Sequence, residues 1–360
     1  MKNTFKQYHQ FTDQEFKQLW ADCLFVFDTN TLLNMYRYSR DTVKEYFDVL
    51  EKLKQKNQLW IPYQVGHEFH ENRINVISEY ERSYDELIKI LNNAKEDIES
   101  KYKYHPFLDL KKIKEKMNTK LNGVENEIKK AKQDHPNWME EDTVLDQINS
   151  LFENNIGSDY TKQRLIEIKG EGNDRYLNNI PPGYKDDKKP EDKKYGDLIL
   201  WYQIIDKAIA SKKPIIFISG DVKEDWWLSK NGKRVMPLPQ LKKEILDKAK
   251  VDFHIYTADR FLEYFFDDKS IKKETISEVR KIRELEEKRM TIKRREMMER
   301  DRELSPRIFE KNLMEYIHLF EKLERLFVEV NHSEIHLKYR EELGRMFHRL
   351  RIPRNRIMQG

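Results

Sequence analysis

Four acidic residues far apart in the chain stand at positions where an α/β protein places its chemistry. Asp28 ends the apolar run LFVF, Glu68 lies in IPYQVGHEFHENR just after LWIP, Asp197 opens the helical stretch LILWYQII, and Asp221 follows IIFISG. A buried strand that runs into a carboxylate needs water, a capping role or a cation to make the charge tolerable. Four carboxylates converging on one edge would repel one another and raise at least one pKa unless cations neutralised them. Mg²⁺ or Mn²⁺ accepts carboxylate and water oxygens in octahedral geometry. A pair of such ions about 3.5 to 4 Å apart holds an attacking hydroxide and stabilises the leaving oxygen of a phosphodiester. Asp225 comes one helical turn after Asp221 if a helix starts there, and is a further candidate oxygen ligand. Each acid also has an ordinary reading: Asp28, Asp197 and Asp221 as helix N-caps or helix-dipole partners, and Glu68 as a solvated helix residue.

The elements that must carry these residues alternate. LFVF at 24 to 27, LWIP at 59 to 62 and IIFIS at 215 to 219 read as buried parallel strands, each leading into helical pattern. Between the first two, apolar residues at 43, 46, 47, 50 and 53 keep helix spacing. From about Ile74 to Asn155 the pattern becomes long charge-rich helices with a thin apolar stripe, the signature of a hairpin packed on one side. A loop rich in Gly, Pro, Asn and Asp follows, ending in IPPGYKDDKKPEDKKYGD. The chain therefore divides into a first half-sheet (1–73), a helical insertion and loop (74–190), a second half-sheet (191–270) and a basic helical C-terminal extension (271–360). Within that extension the interleaved charges of RKIRELEEKRMTIKRREMMERDREL mark a solvated helix, and Ser305-Pro306 opens the first of two amphipathic helices.

Composition sets the outer limits. Charged residues make up 37% of the 360 and apolar ones 38%, so the chain can bury a core under a charged surface. The only cysteine is Cys23, which excludes an intramolecular disulfide framework and suits a reducing cytoplasm. MKNTFKQYHQFTDQEF has no apolar core of the signal-peptide kind, and no stretch nears 18 uninterrupted apolar residues, so the expectation is a cytoplasmic chain with no membrane partner. The net charge of +4 is unevenly spread: residues 271 to 360 hold 23 Lys and Arg against 17 Asp and Glu, while residues 1 to 270 hold 45 against 47. The tail is thus the segment suited to phosphate contact, and its apolar helices suit a homo-oligomer or partner-protein contact equally.

DTNTLLNMYRYS, LWIPYQVGHEFHENR, IPPGYKDDKK with YGDLILWYQII, and PIIFISGDVKEDWW, in this order, resemble the PIN-like nuclease domains, in particular a bacterial branch with a long helical insertion. The likeness spans roughly residues 24 to 265. It implies a three-layer α/β/α, Rossmann-like fold around a central parallel sheet, and an endonuclease site of ribonuclease type using Mg²⁺ or Mn²⁺. By position, Asp28, Glu68, Asp197 and Asp221 match the family's four acids. Asn30 matches the polar residue supporting the first acid, and Ser219 the hydroxyl before the fourth, with Asp225 an outer ligand or a cap on Trp226 and Trp227. The implied partner is nucleic acid, RNA ahead of single-stranded or structured DNA. A toxin or phage-defence role is compatible with such a chain, although no residue points to it.

Three rivals remain at the level of sequence. GDVKED resembles the last motif of haloacid-dehalogenase-type phosphatases, but Asn30 stands where their general acid is required. HEFH at 67 to 70 lacks zinc-protease spacing, and His332 with His336 has the spacing but no third ligand nearby. The third rival is an inactive PIN-like scaffold that binds RNA or a protein.

Overall fold

The computed structural model describes residues 1, 4–101, 107–191, 193–220, 223–231, 233–266, 271–292 and 296. The chain divides into two compact units, Met1–Lys288 and Arg289–Gly360, and the first holds every strand described below. Asp221 lies outside the described residues, as do the amphipathic helices expected after Ser305, with His332 and His336. No helix among the described residues is long and apolar enough to cross a membrane.

Thr12 and Glu15 cap α1 (Asp13–Asp22) reciprocally, and the chain then enters β1 (Leu24–Phe27), all four residues of which are buried. The short helix α2 (Thr29–Leu33) follows at once. Ser39 caps α3 (Arg40–Gln55), which buries Tyr46, Phe47, Leu50 and Leu53 at helical spacing. β2 (Leu59–Trp60) lies parallel to β1 with Leu59 opposite Phe25, and Ile61 adds one bridge to Ile156.

The insertion is a helical hairpin. α4 (Tyr63–Lys101) runs unbroken through position 74, and α5 (Leu110–Asp134) returns along it, with Lys132 paired to Asp85 and Lys95 to Glu125 at 2.6 and 3.5 Å. α6 (Thr143–Phe152) leads to a segment expected as loop, much of which is instead α7 (Lys162–Leu177). Two glycines, Gly170 and Gly172, hide the helical pattern. Gly172 is there because a Cβ would sit 2.7 Å from the Tyr195 ring, so the helix can approach only without a side chain.

α8 (Gly196–Ser211) is buried along most of its length and precedes β3 (Ile215–Ile218). The helix expected after β3 is absent from the described residues. A turn at 224–226 leads into an antiparallel hairpin of β4 (Trp227–Lys230) and β5 (Lys233–Pro237). Its first strand buries Trp227 and exposes the next three residues, so neither helical nor strand periodicity marks it. α9 (Pro239–Ala249), β6 (Phe253–Tyr256), α10 (Ala258–Phe266) and the part of α11 that falls within it (273–288) complete the unit.

The four parallel strands run in the order β2-β1-β3-β6. Helices cover both faces. Trp20, Tyr46 and Phe261 of α1, α3 and α10 pack on the side of Phe25 and Phe27, whereas Trp201 of α8 meets Phe253 at 5.0 Å on the other. The result is a three-layer α/β/α fold with a helical insertion. The chain leaves β1 toward β2 and returns to β3 on the opposite flank, so the topological switch lies between β1 and β3. A crevice opens beyond the carboxyl ends of strands at such a point.

The start of α11 is less solvated than its interleaved charges suggest. Val279 is buried, Glu278 accepts hydrogen bonds from Ser39 and Thr42, and Arg280 and Arg283 both pair with buried Asp259. Charge neutralisation by the core, rather than by water, accounts for the difference.

Candidate active site

Asp28 and Ser219 occupy the ends of the two central strands. The ladder carries on to them: Asp28 N–H donates to Ile218 O at 2.9 Å and Ser219 N–H to Tyr256 O at 3.0 Å. Asp28 is only 9% exposed. One of its oxygens accepts from Ser219 Oγ at 2.7 Å and the other from Thr29 N–H at 2.8 Å. It is therefore the N-cap of α2, as the ordinary reading holds, and also a carboxylate fixed at the switch point.

Thr29 ties that group to the next. Its Oγ1 donates to Glu68 Oε2 at 2.9 Å, and Gln64, one turn earlier on α4, donates from Nε2 to Oε1 at 2.8 Å. Gln64 is itself held to α8, its N–H donating to Gln203 Oε1 at 3.0 Å. Burial pushes the Glu68 carboxyl above its ordinary pKa, with the nearby Asp197 charge adding to the rise and the hydrogen bonds from Gln64 and Thr29 opposing it. Gly196 makes this approach possible, since a Cβ there would lie 2.8 Å from Glu68 Oε1.

Asp197 follows in the first turn of α8, where the helix N-terminus favours a negative group. Burial alone would raise its pKa, but the Lys223 ammonium, 2.8 Å from Oδ2, outweighs that and holds it below the usual range. Trp226 Nε1–H also points at Oδ2, at 3.4 Å. The same ammonium donates to Asp186 Oδ2 at 2.8 Å, and Lys189 adds a second cation on Asp186 at 2.7 Å. Sequence reasoning passed over Asp186 and Lys223. Their only trace is the mixed run YKDDKK and the Lys within GDVKED, which look like solvated charge.

Hydrogen bonds thus join Ser219, Asp28 and Glu68 at one edge, and Asp197 lies near enough for its charge to act on Glu68. Asn30 is exposed on α2, with its Cβ 3.9 Å from where a Gly220 Cβ would stand, so it borders the segment leading to Asp221. Asp225 stands beside this edge as a clasp on the neighbouring turn. It is fully buried, and its Oδ2 accepts from the backbone N–H groups of Gly183 and Lys185 at 3.0 and 3.3 Å, fastening the turn before Asp186. Gly183 sits at φ +92°, a left-handed conformation open to glycine. His67 is exposed and pairs with Glu71 at 3.6 Å.

Among the described residues no three His, Cys, Asp or Glu side chains form a metal-holding group by themselves. The donors at the edge nevertheless suit a hard divalent ion. They are carboxylate oxygens only, one of them with a raised pKa that an added cation would lower, and another already drawing a lysine ammonium onto itself.

No curated protein and no solved structure matches the chain significantly. A family model described as PIN like domain matches residues 24–241. PIN-like domains are typically nucleases, and such nucleases generally use divalent metals. The match covers more than half of the chain, from β1 through the hairpin, the Asp186 turn and Asp197 to the start of α9, and so the chain belongs to the PIN-like domain family.

Proposed function

We propose that this chain is a Mg²⁺- or Mn²⁺-dependent endonuclease that hydrolyses RNA, with Asp28, Glu68, Asp197 and Asp221 as the metal-holding acids. The observation that carries the reading is the hydrogen-bonded path from Ser219 through Asp28 and Thr29 to Glu68, laid across the switch point of the sheet. Bound divalent ions would supply an activated water and stabilise the leaving oxygen. The chain's own residues prepare for that. Ser219 and the Thr29 N–H orient both oxygens of Asp28, while Thr29 and Gln64 orient those of Glu68. Such positioning before substrate arrives lowers the reorganisation that the reaction requires.

The test is incubation of the purified chain with labelled RNA and DNA, with Mn²⁺ or Mg²⁺ and with chelator. RNA cleavage that disappears with chelator is expected, and Asp28→Asn should slow it on the order of a thousandfold while circular dichroism stays unchanged. Equal cleavage by Asp28→Asn refutes the assignment. Cleavage of DNA alone would replace the substrate, and RNA binding without cleavage under every condition would favour the scaffold.

A further inference from the structure

We propose that Lys223 is the resident counter-cation of this acidic edge, and that a divalent ion binds only by displacing its ammonium from Asp197. The inference rests on the metal-dependent reading above. The ammonium lies 2.8 Å from Oδ2 of both Asp186 and Asp197, and the lysine and Asp186 side chains are only 7% and 6% exposed. Asp186 comes from the turn before α8 and Asp197 from the helix itself, so one cation joins two segments. The lysine's backbone is anchored as well, its carbonyl accepting from the N–H groups of Trp226 and Trp227 at 3.1 and 3.3 Å. A buried ammonium between two carboxylates cancels their repulsion, and removing it exposes that repulsion in full. It also occupies one oxygen of Asp197, a carboxylate that would hold the metal. Metal and ammonium would therefore compete for one carboxylate, and two like charges on it repel each other. After displacement the lysine still has Asp186, which keeps the exchange from stranding a buried charge.

Lys189 provides the comparison, since it pairs with Asp186 and reaches Asp197 and Glu68 through its charge at a distance, with no described hydrogen bond to either. Mn²⁺ binding to the full chain, read from the electron paramagnetic resonance of the free ion and without nucleic acid, separates the cases. Lys223→Met should bind Mn²⁺ about tenfold more tightly, Lys189→Met should change binding by less than about threefold, and Asp186→Asn should weaken it by leaving the ammonium on Asp197. Equal gains from Lys223→Met and Lys189→Met would mean a general charge effect and overturn the proposal. Should Lys223→Met fail to fold, Asp186→Asn decides against Asp187→Asn, which removes an equal charge one residue away from a carboxylate paired with Lys194: a larger loss of Mn²⁺ binding in Asp186→Asn supports displacement, and an equal or absent loss refutes it. A parent chain that binds Mn²⁺ alongside an unaffected, folded Lys223→Met refutes this inference alone, whereas a parent that binds no Mn²⁺ takes the metal-dependent reading down with it.

Discussion

Glu244 on α9 lends itself to a quantitative test. Its two oxygens take both terminal nitrogens of Arg175 at 2.8 and 2.9 Å, with Trp201 Nε1 at 2.8 Å and Lys248 Nζ at 2.9 Å completing the set. Arg175 also donates to Pro181 O, so the cluster ties α7, α8 and α9 to the turn that carries Asp186. Burial would raise the Glu244 pKa, but Arg175, Lys248 and Trp201 together bring it down to about 2 against an ordinary 4.5. A carboxyl depressed in the fold stabilises it fully above its unfolded pKa, and loses that contribution as pH falls through the folded one. The difference amounts to ~3 kcal/mol at pH 7, of which about 1 kcal/mol is gone by pH 4. Glu244→Gln keeps the volume but leaves the Arg175 guanidinium, 12% exposed, without its counter-charge, so a cost of about 3 kcal/mol or more is expected at pH 7. Urea unfolding of parent and variant, followed by tryptophan fluorescence at both pH values, reads the gap between them. It should narrow by about 1 kcal/mol at pH 4, because only the unfolded parent gains a proton there. A gap that stays constant or widens refutes the ion-pair account.

The site permits two further tests. Gly196→Ala places a methyl 2.8 Å from Glu68 Oε1, too close to keep, and the end of a side chain gives way more cheaply than backbone. Thermal stability should hold or rise slightly, as Ala is a better helix former than Gly, while cleavage should fall by about tenfold or more; retained activity would show that the position of Glu68 is immaterial. Thr29→Val removes a hydrogen bond that lowers the Glu68 pKa, so cleavage should fall roughly tenfold, with a larger deficit at pH 6 than at pH 8. A deficit independent of pH would argue that Thr29 acts only on packing.

What could be foreseen follows from what each element buries. β1 and β3 are covered on both faces, so they stand out as unbroken apolar runs, and Asp28 is marked simply by ending one. α8 is similarly visible, and with it Asp197. The hairpin of β4 and β5 alternates on neither face, and α7 carries two glycines, of which Gly172 allows close contact with Tyr195, so both escape periodicity. Thr29, Gln64, Asp186 and Lys223 are a different matter. A hydroxyl, an amide or a charge becomes part of a site only through a partner far away in sequence, such as Glu68 for Thr29 or Asp197 for Lys223.

The helix that carries Glu68 continues without a break to Lys101, a rod roughly 58 Å long at 1.5 Å per residue, with Glu68 only about 8 Å from its root. Leverage then runs in one direction. Swinging the rod by about 5° about that root would carry its tip through about 5 Å and Glu68 through well under 1 Å. The outer arm can thus be pushed or gripped while the acidic edge stays nearly still.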